Sequence, residues 1–193
     1  MRSLKSLTIL SCLAACAMMC VSQANKAKPK PDMSGTWEFD QKRSNIGKSN
    51  SSTRPEQIKI THLDPELKVR RKVIINGQPE ERELVYYTDG RGETNPTTAW
   101  ITTNPGSDSE RPPQTNSKTS WSGDKVITRS KFLPHTSTAM IEFDITVEWR
   151  LSSDGKSLTQ TTHTTAKHDP MSNSVFVAGS GTDFKAVYKL VSK

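Results

Sequence analysis

From Ile141 the chain alternates. Ile141, Phe143, Ile145, Val147, Trp149 and Leu151 are apolar, and Glu142, Asp144, Thr146, Glu148 and Arg150 lie between them. Alternation of this length predicts a strand, Met140–Leu151, with one dry face and one wet face. A helix would throw Phe143 and Ile145 to different sides. Ser153-Asp154-Gly155-Lys156 then predicts a turn whose glycine takes positive φ. The segment Ser157–Ala166, nearly all threonine and other polar residues, predicts an antiparallel return strand.

The same period recurs along the chain. Met33–Asp40 places Gly35, Trp37 and Phe39 on one face. Gln41–Pro55 is polar and predicts a loop with one helical turn. Gln57–Leu63 alternates through Ile58, Ile60 and His62, and Asp64-Pro65 predicts a turn. Leu67–Ile75 alternates through Leu67, Val69, Val73 and Ile75, with Arg71 as the single break on that face. Asn76-Gly77 is the chain's strongest hairpin signal. Arg82–Thr88 follows, with Leu84 and Tyr86 on one side and Val85 and Tyr87 on the other. Thr94–Thr103 predicts a strand around Trp100, weakened by Pro96. Asn104–Asn116 is a long polar insertion rich in proline, either disordered or a lid. Ser117–Trp121 and Lys125–Phe132 predict a further hairpin. His168–Gly181 reads as irregular, and Thr182–Val191 predicts a last strand with Phe184, Ala186, Tyr188 and Leu190 on one face. Short strands at hairpin spacing predict an all-β fold: a single antiparallel up-and-down β-barrel of about eight to ten strands, since closure removes exposed edges.

Composition narrows the picture. Of 193 residues 32% are hydrophobic, so the core is one layer or a small barrel. The formal net charge is +7. The signs are interleaved, as in Arg70-Arg71-Lys72 followed by Glu80-Glu81-Arg82-Glu83, whereas a nucleic-acid surface clusters its cations. No nucleic-acid partner is therefore expected.

Residues 1–24 read as a signal peptide. Arg2 and Lys5 make a positive start, Leu7–Val21 is apolar, and Ser22-Gln23-Ala24 offers small residues at the cleavage point, placed after Ala24. The apolar run is short for a membrane span, which needs about 20 residues. A competing reading is a lipobox at Leu13-Ala14-Ala15-Cys16, with Cys16 lipidated as the mature N-terminus. The expectation is thus an exported protein, periplasmic or secreted, membrane-associated only if Cys16 is lipidated. Cys12, Cys16 and Cys20 all lie in this segment. Cleavage after Ala24 leaves no thiol for disulfides, metals or nucleophilic catalysis. Residues 25–32, basic and proline-rich, read as a disordered linker, and 33–193 as the barrel domain.

Several motifs carry a resemblance. Gly35-Thr36-Trp37, Asp40, Arg43, Ser44 and Gly47 resemble the opening GTW-x-x-D-x-x-(K/R)-S-x-x-G of exported bacterial lipocalin-like proteins. Tyr87-Thr88-Asp89-Gly90, Trp121-Ser122-Gly123-Asp124 and Leu151 to Thr159 resemble hairpins of the same family. The resemblance covers Met33–Val191 and implies a calycin-type barrel; it implies no activity. The Thr-Asp-Tyr motif of the classical ligand-transporting lipocalins, and the arginine ending their last strand, have no counterpart here.

Catalytic signals are weak. His163 and His168 are spaced for opposite faces of a strand, which suits no shared metal. Gly179-Ser180-Gly181 lacks the spacing of a nucleophile elbow. Glu142, Asp144 and Glu148 on a wet face read as partners of nearby Lys and Arg. No enzymatic activity, metal or cofactor is expected. The aromatic residues Trp37, Tyr87, Trp100, Trp121, Phe143, Trp149 and Tyr188 recur once per strand or hairpin, and read as core filling or as the lining of a ligand cavity. The expected cavity lies between the Trp/Phe face of Ile141–Leu151 and the Thr-rich return strand, with Asn104–Asn116 as its cover. Two functions follow: an exported protein binding a small, partly apolar molecule, or an envelope interaction protein with a packed barrel.

Overall fold

The computed structural model describes residues 29–45, 57–75, 78–96, 114–132, 141–168 and 182–193. The signal segment with Cys16 and Ala24, Trp100, and the insertion from Asn104 to Pro113 lie outside the described residues.

Ten strands follow in order: Gly35–Phe39 (β1), Gln57–Leu63 (β2), Glu66–Ile75 (β3), Gln78–Tyr87 (β4), Glu93–Pro96 (β5), Gln114–Ser122 (β6), Lys125–Phe132 (β7), Ile141–Leu151 (β8), Ser157–His168 (β9) and Thr182–Ser192 (β10). The one helical turn, expected within Gln41–Pro55, is a 3-10 turn at Gln41–Arg43. All strand pairs are antiparallel, in the order β4-β3-β2-β1-β10-β9-β8-β7-β6-β5. Neighbours in space are neighbours in sequence, except where β10 pairs with β1. This is the expected up-and-down meander, curled into a nearly closed all-β, lipocalin-like barrel.

Parity sets which side chains point inward. Trp149 on β8 lies opposite Val126 on β7 and Gln160 on β9. Val126 in turn faces Trp121 on β6. Trp37, Ile58, Ile60, Leu67, Val69, Leu84, Val126, Trp149, Leu158 and Tyr188 join one buried cluster, with Met33 packed among them. The indole of Trp37 donates to the Met33 carbonyl at 3.1 Å, which satisfies its one polar atom inside an apolar core. Gly35 is required at the start of β1. Its φ is +145°, and a Cβ there would sit 2.7 Å from Leu190 Cδ1 and 2.9 Å from the Ser192 carbonyl oxygen.

Most strand ends lie within two residues of expectation, with β1 shorter at Gly35–Phe39 and β9 longer, to His168; β4, β5 and β6 differ more. The strand expected over Thr94–Thr103 is described only as Glu93–Pro96, and the residues after Pro96 lie outside the described set. Gln114–Asn116, assigned by composition to the polar insertion, belong to β6 because they pair with Pro96, Asn95 and Thr94. β4 begins at Gln78, before the expected Arg82, because its charged outer face is matched across the ladder. Arg70 bonds Glu83 at 2.5 Å, and Lys72 lies opposite Glu81.

Closure between β4 and β5 is made by side chains. The Val85 N–H donates to Asn95 Oδ1 at 2.8 Å, and Asn95 Nδ2 donates back to the Val85 carbonyl at 2.8 Å. Tyr87 N–H donates to Glu93 Oε2 at 3.3 Å. A carboxamide carries the same donor and acceptor as a peptide unit, so Asn95 completes a ladder rung. β5 itself is short and ends in a proline, which has no N–H to give.

Candidate functional site

The interior changes character along the barrel axis. One end carries the tight connections at Asp64-Pro65, Asp89-Gly90, Gly123 and Gly155. Near these turns lie fully packed inward residues: Trp37 is 0% exposed, Leu158 0%, Tyr188 2% and Trp149 3%, with the half-buried Trp121, Leu151 and Leu190 packed against them. Further from the turns, on β8 to β10, the inward residues Phe143, Ile145, Val147, Thr162 and Phe184 are only half-buried. These residues face the axis yet are less covered than the core cluster, although Val147 packs against that cluster.

The strands from β5 to β9 carry inward hydroxyl residues in register. Register places Thr164 opposite Ile145, Ile145 opposite Ser130, Ser130 opposite Ser117, and Ser117 opposite Glu93. Thr162, Val147, Thr128 and Thr119 form the adjacent row. Ser117 and Thr119 donate to Glu93 Oε1 at 2.6 and 2.8 Å. The Thr119 proton is thereby committed, so Thr128, at 2.8 Å, donates to Thr119. Glu93 is thus held by two hydroxyls and the Tyr87 N–H, as a buried carboxylate must be. Thr164 is 4% exposed, and its Oγ1 has no hydrogen-bond partner.

The wall across the interior is cationic. Arg71 on β3 and Arg82 on β4 share the inward face with Val69, Leu84 and Tyr86, and lie directly opposite each other. Outside, the same two strands pair opposite charges; inside, they pair like charges. The Arg71 guanidinium acts on two phenols. Burial raises Tyr86 above its ordinary range and Glu93 adds to the shift, while Arg71 opposes it. Burial pushes Tyr188 up to about 12, again against Arg71. Arg71 Nε is buried without a hydrogen-bond partner.

The candidate aromatics separate into groups. Trp37, Trp149 and Tyr188 are core, and Tyr188 meets Phe39 edge to face at 5.7 Å. Phe143 is inward and half-buried in the second region. Trp121 is at the tight-turn end, where its indole donates to Asp64 Oδ1 at 2.8 Å and its ring lies 5.6 Å from His62. Thr88 also donates to Asp64, at 2.6 Å, so the Asp64 turn sews that end shut. Tyr87, a candidate lining residue, is on the outer face with the Arg91 guanidinium over its ring at 4.7 Å. Strand parity puts Tyr86 inside instead. Thr164 lies on the Thr-rich return strand that the sequence offers as a cavity wall, whereas Arg71 and Glu93 are not among the expected site residues. Arg71 did leave a signal, as the one charge on an otherwise apolar strand face.

Other chemistry-bearing residues are engaged on the surface. Lys131 reaches Glu142 at 2.7 Å and Asp144 at 3.9 Å, and Lys125 reaches Glu148 at 2.8 Å. His163 pairs with Asp183 at 2.8 Å in solvent. Among the described residues no group of three or more His, Cys, Asp or Glu could hold a metal ion. An open outer depression of about 640 Å³ is lined by Arg43, Ser152, Ser157, Thr159 and Lys185. Its motif residues are structural. Asp40 accepts from the Lys42 N–H at 3.1 Å and from Arg43 Nε at 2.6 Å, and Arg43 reaches Ser157 Oγ at 3.2 Å. Ser44 Oγ accepts the Val187 N–H at 2.9 Å. The Arg43 guanidinium also holds the Asp40 carboxyl below its usual range. The D-x-x-R-S run therefore staples the 3-10 turn to β9 and β10.

No family model matches the chain, and no curated protein matches it.

Proposed function

We propose that this is an exported, non-enzymatic protein that binds a small, partly apolar molecule inside the barrel, in the half away from the tight turns. The observation that carries the reading is the set of inward residues, Phe143, Ile145, Val147, Thr162 and Phe184, that remain half-accessible beside the unpartnered Thr164 hydroxyl. Apolar walls supply buried area and a few polar groups supply orientation, which is the composition of a small-molecule pocket. The resemblance of its motifs to exported lipocalin-like proteins agrees with this reading. The engagement of Glu142, Asp144 and Glu148 with lysines agrees with a non-catalytic role.

The packed cluster around Trp37 and Trp149 favours the second reading, an envelope interaction protein with a filled barrel. Native mass spectrometry of the protein purified from its own host separates the two. Retained mass on the folded protein supports a ligand. A bare mass, with no binding of fatty acids, retinoid-like molecules or haem at high micromolar concentration, supports the filled barrel. The same spectra test export: a chain beginning at Asn25 fits the signal peptide, and a diacylated Cys16 fits the lipid-anchored form.

A further inference from the structure

We propose that the interior ligand carries a carboxylate, and that Arg71 is the residue that receives it. The inference rests on the binding function proposed above and names the chemical class of the ligand.

Arg71 is an anomaly in a strand that otherwise sends apolar residues inward. Leu67 and Val69, on the same face, are each 1% exposed. A guanidinium placed there gives up hydration, and that loss is recovered only through charge-matched hydrogen bonds. Nε is buried with no acceptor, although the residue as a whole is partly accessible. The neighbouring inward position on β4 holds a second arginine, Arg82, directly across the ladder. Like charges in register raise each other's energy. The outer face of the same hairpin avoids this by setting Arg70 against Glu83. Inside, the one carboxylate among the inward side chains described, Glu93, is saturated by Ser117, Thr119 and the Tyr87 N–H. Arg71 Nε is thus an unmet donor that an anion held in the interior could satisfy.

A carboxylate fits this position better than a phosphate dianion. Its planar pair of oxygens matches the guanidinium fork, and a single negative charge asks for fewer counter-charges in a dry interior. The rest of the ligand would then lie along Ile145, Val147 and Phe184. Besides Arg71 Nε, two more buried polar atoms lack a partner among the described residues: Thr164 Oγ1, and His62 Nε2 at the tight-turn end. Thr164 Oγ1 suits a ligand with a polar atom on its body rather than a bare hydrocarbon.

The test compares dodecanoate, 1-dodecanol and dodecyl phosphate by quenching of intrinsic tryptophan fluorescence, in the wild type, Arg71→Met and Arg71→Lys. Dodecanoate should bind at least tenfold more tightly than the alcohol in the wild type. Arg71→Met should bring the acid down to the alcohol, with Arg71→Lys between. Carbon NMR of [1-13C]dodecanoate bound to the wild type should show a carboxyl that stays ionised at lower pH than the dissolved acid; this holds the proposal to account even if the variants fold poorly. Equal binding of acid and alcohol, an unshifted carboxyl titration, or tighter binding of the phosphate would overturn the carboxylate assignment and leave the binding function standing. Failure of all three probes to bind would overturn both.

Discussion

On β6, β7 and β8 the row Trp121–Val126–Trp149 and the row Ser117–Ser130–Ile145 face the same interior, yet they are made of different chemistry. The first lies against tight turns: Val126 and Trp149 are in the buried cluster, and the half-buried Trp121 packs against it. The second is mostly hydroxylic, and its Ile145 stays half-accessible. At the first end short turns tie the strands together, and Asp64 links Trp121 to Thr88. Stability and recognition make opposite demands on an interior, since a filled core leaves no room for a guest. Under the proposed binding function, this barrel would assign the two demands to two halves.

The largest test of that division is a pair of truncations. Trp149→Ala removes a side chain 3% exposed and should cost about 3–5 kcal/mol, the usual penalty for a lost buried aromatic. Ile145→Ala, on the same face of the same strand, should cost about 1 kcal/mol, because its site already meets solvent. Urea midpoints read both. Equal losses would mean that the two halves are packed alike.

Alkaline pH probes the packed half without mutation. Tyr188 is held neutral by burial, its pKa pushed up from 10.0 to about 12. The unfolded phenol ionises first, so stability is intact below pH 10 and falls as pH rises from 10 toward about 12. The loss should reach roughly 2–3 kcal/mol. Tyr188→Phe should flatten that part of the stability–pH curve; an unchanged slope would show that Tyr188 is not the titrating group.

The seam between β4 and β5 belongs to neither half, and its loss should be smaller. Asn95→Ala leaves the Val85 N–H and carbonyl without partners and should cost about 1–2 kcal/mol. Amide exchange at Val85 should accelerate more than exchange at Leu84. Unchanged protection at Val85 would mean that another group closes the barrel.

The difference between the halves also decides what the sequence could reveal. Strands packed against a core print their alternation plainly: Met140–Leu151 was expected and Ile141–Leu151 is found, and the succession of hairpins was legible too. Charged hairpins print it poorly, because β4 extends to Gln78 through cross-strand pairing that no local pattern carries. Strand parity made Tyr86 and Tyr87 equivalent from the sequence, since both sides of Arg82–Thr88 hold an apolar residue and a tyrosine. Only the register against Leu67 and Val69 puts Tyr86 inside. Glu93 and Asn95 were invisible for a related reason. Their role is to bond a strand brought alongside by closure, and nothing in Glu93–Pro96 encodes that neighbour.

The smallest expected effect is the most discriminating. Thr119 and Thr164 are both buried inward threonines, 0% and 4% exposed. Thr119 donates to Glu93 and accepts from Thr128, so Thr119→Val strands two polar groups and should destabilise by about 1–3 kcal/mol. Thr164 Oγ1 bonds nothing among the described residues. Valine has the same shape, and removing an unsatisfied hydroxyl removes a desolvation cost rather than a bond. Thr164→Val should therefore leave the ligand-free protein within about 0.5 kcal/mol of the wild type, or slightly more stable. If the protein is purified with its natural ligand, the same substitution should weaken retention in native mass spectra. A marked loss of stability in the empty protein would show that Thr164 serves the fold. A neutral substitution with undiminished retention would remove it from the site, leaving recognition to the arginine wall alone.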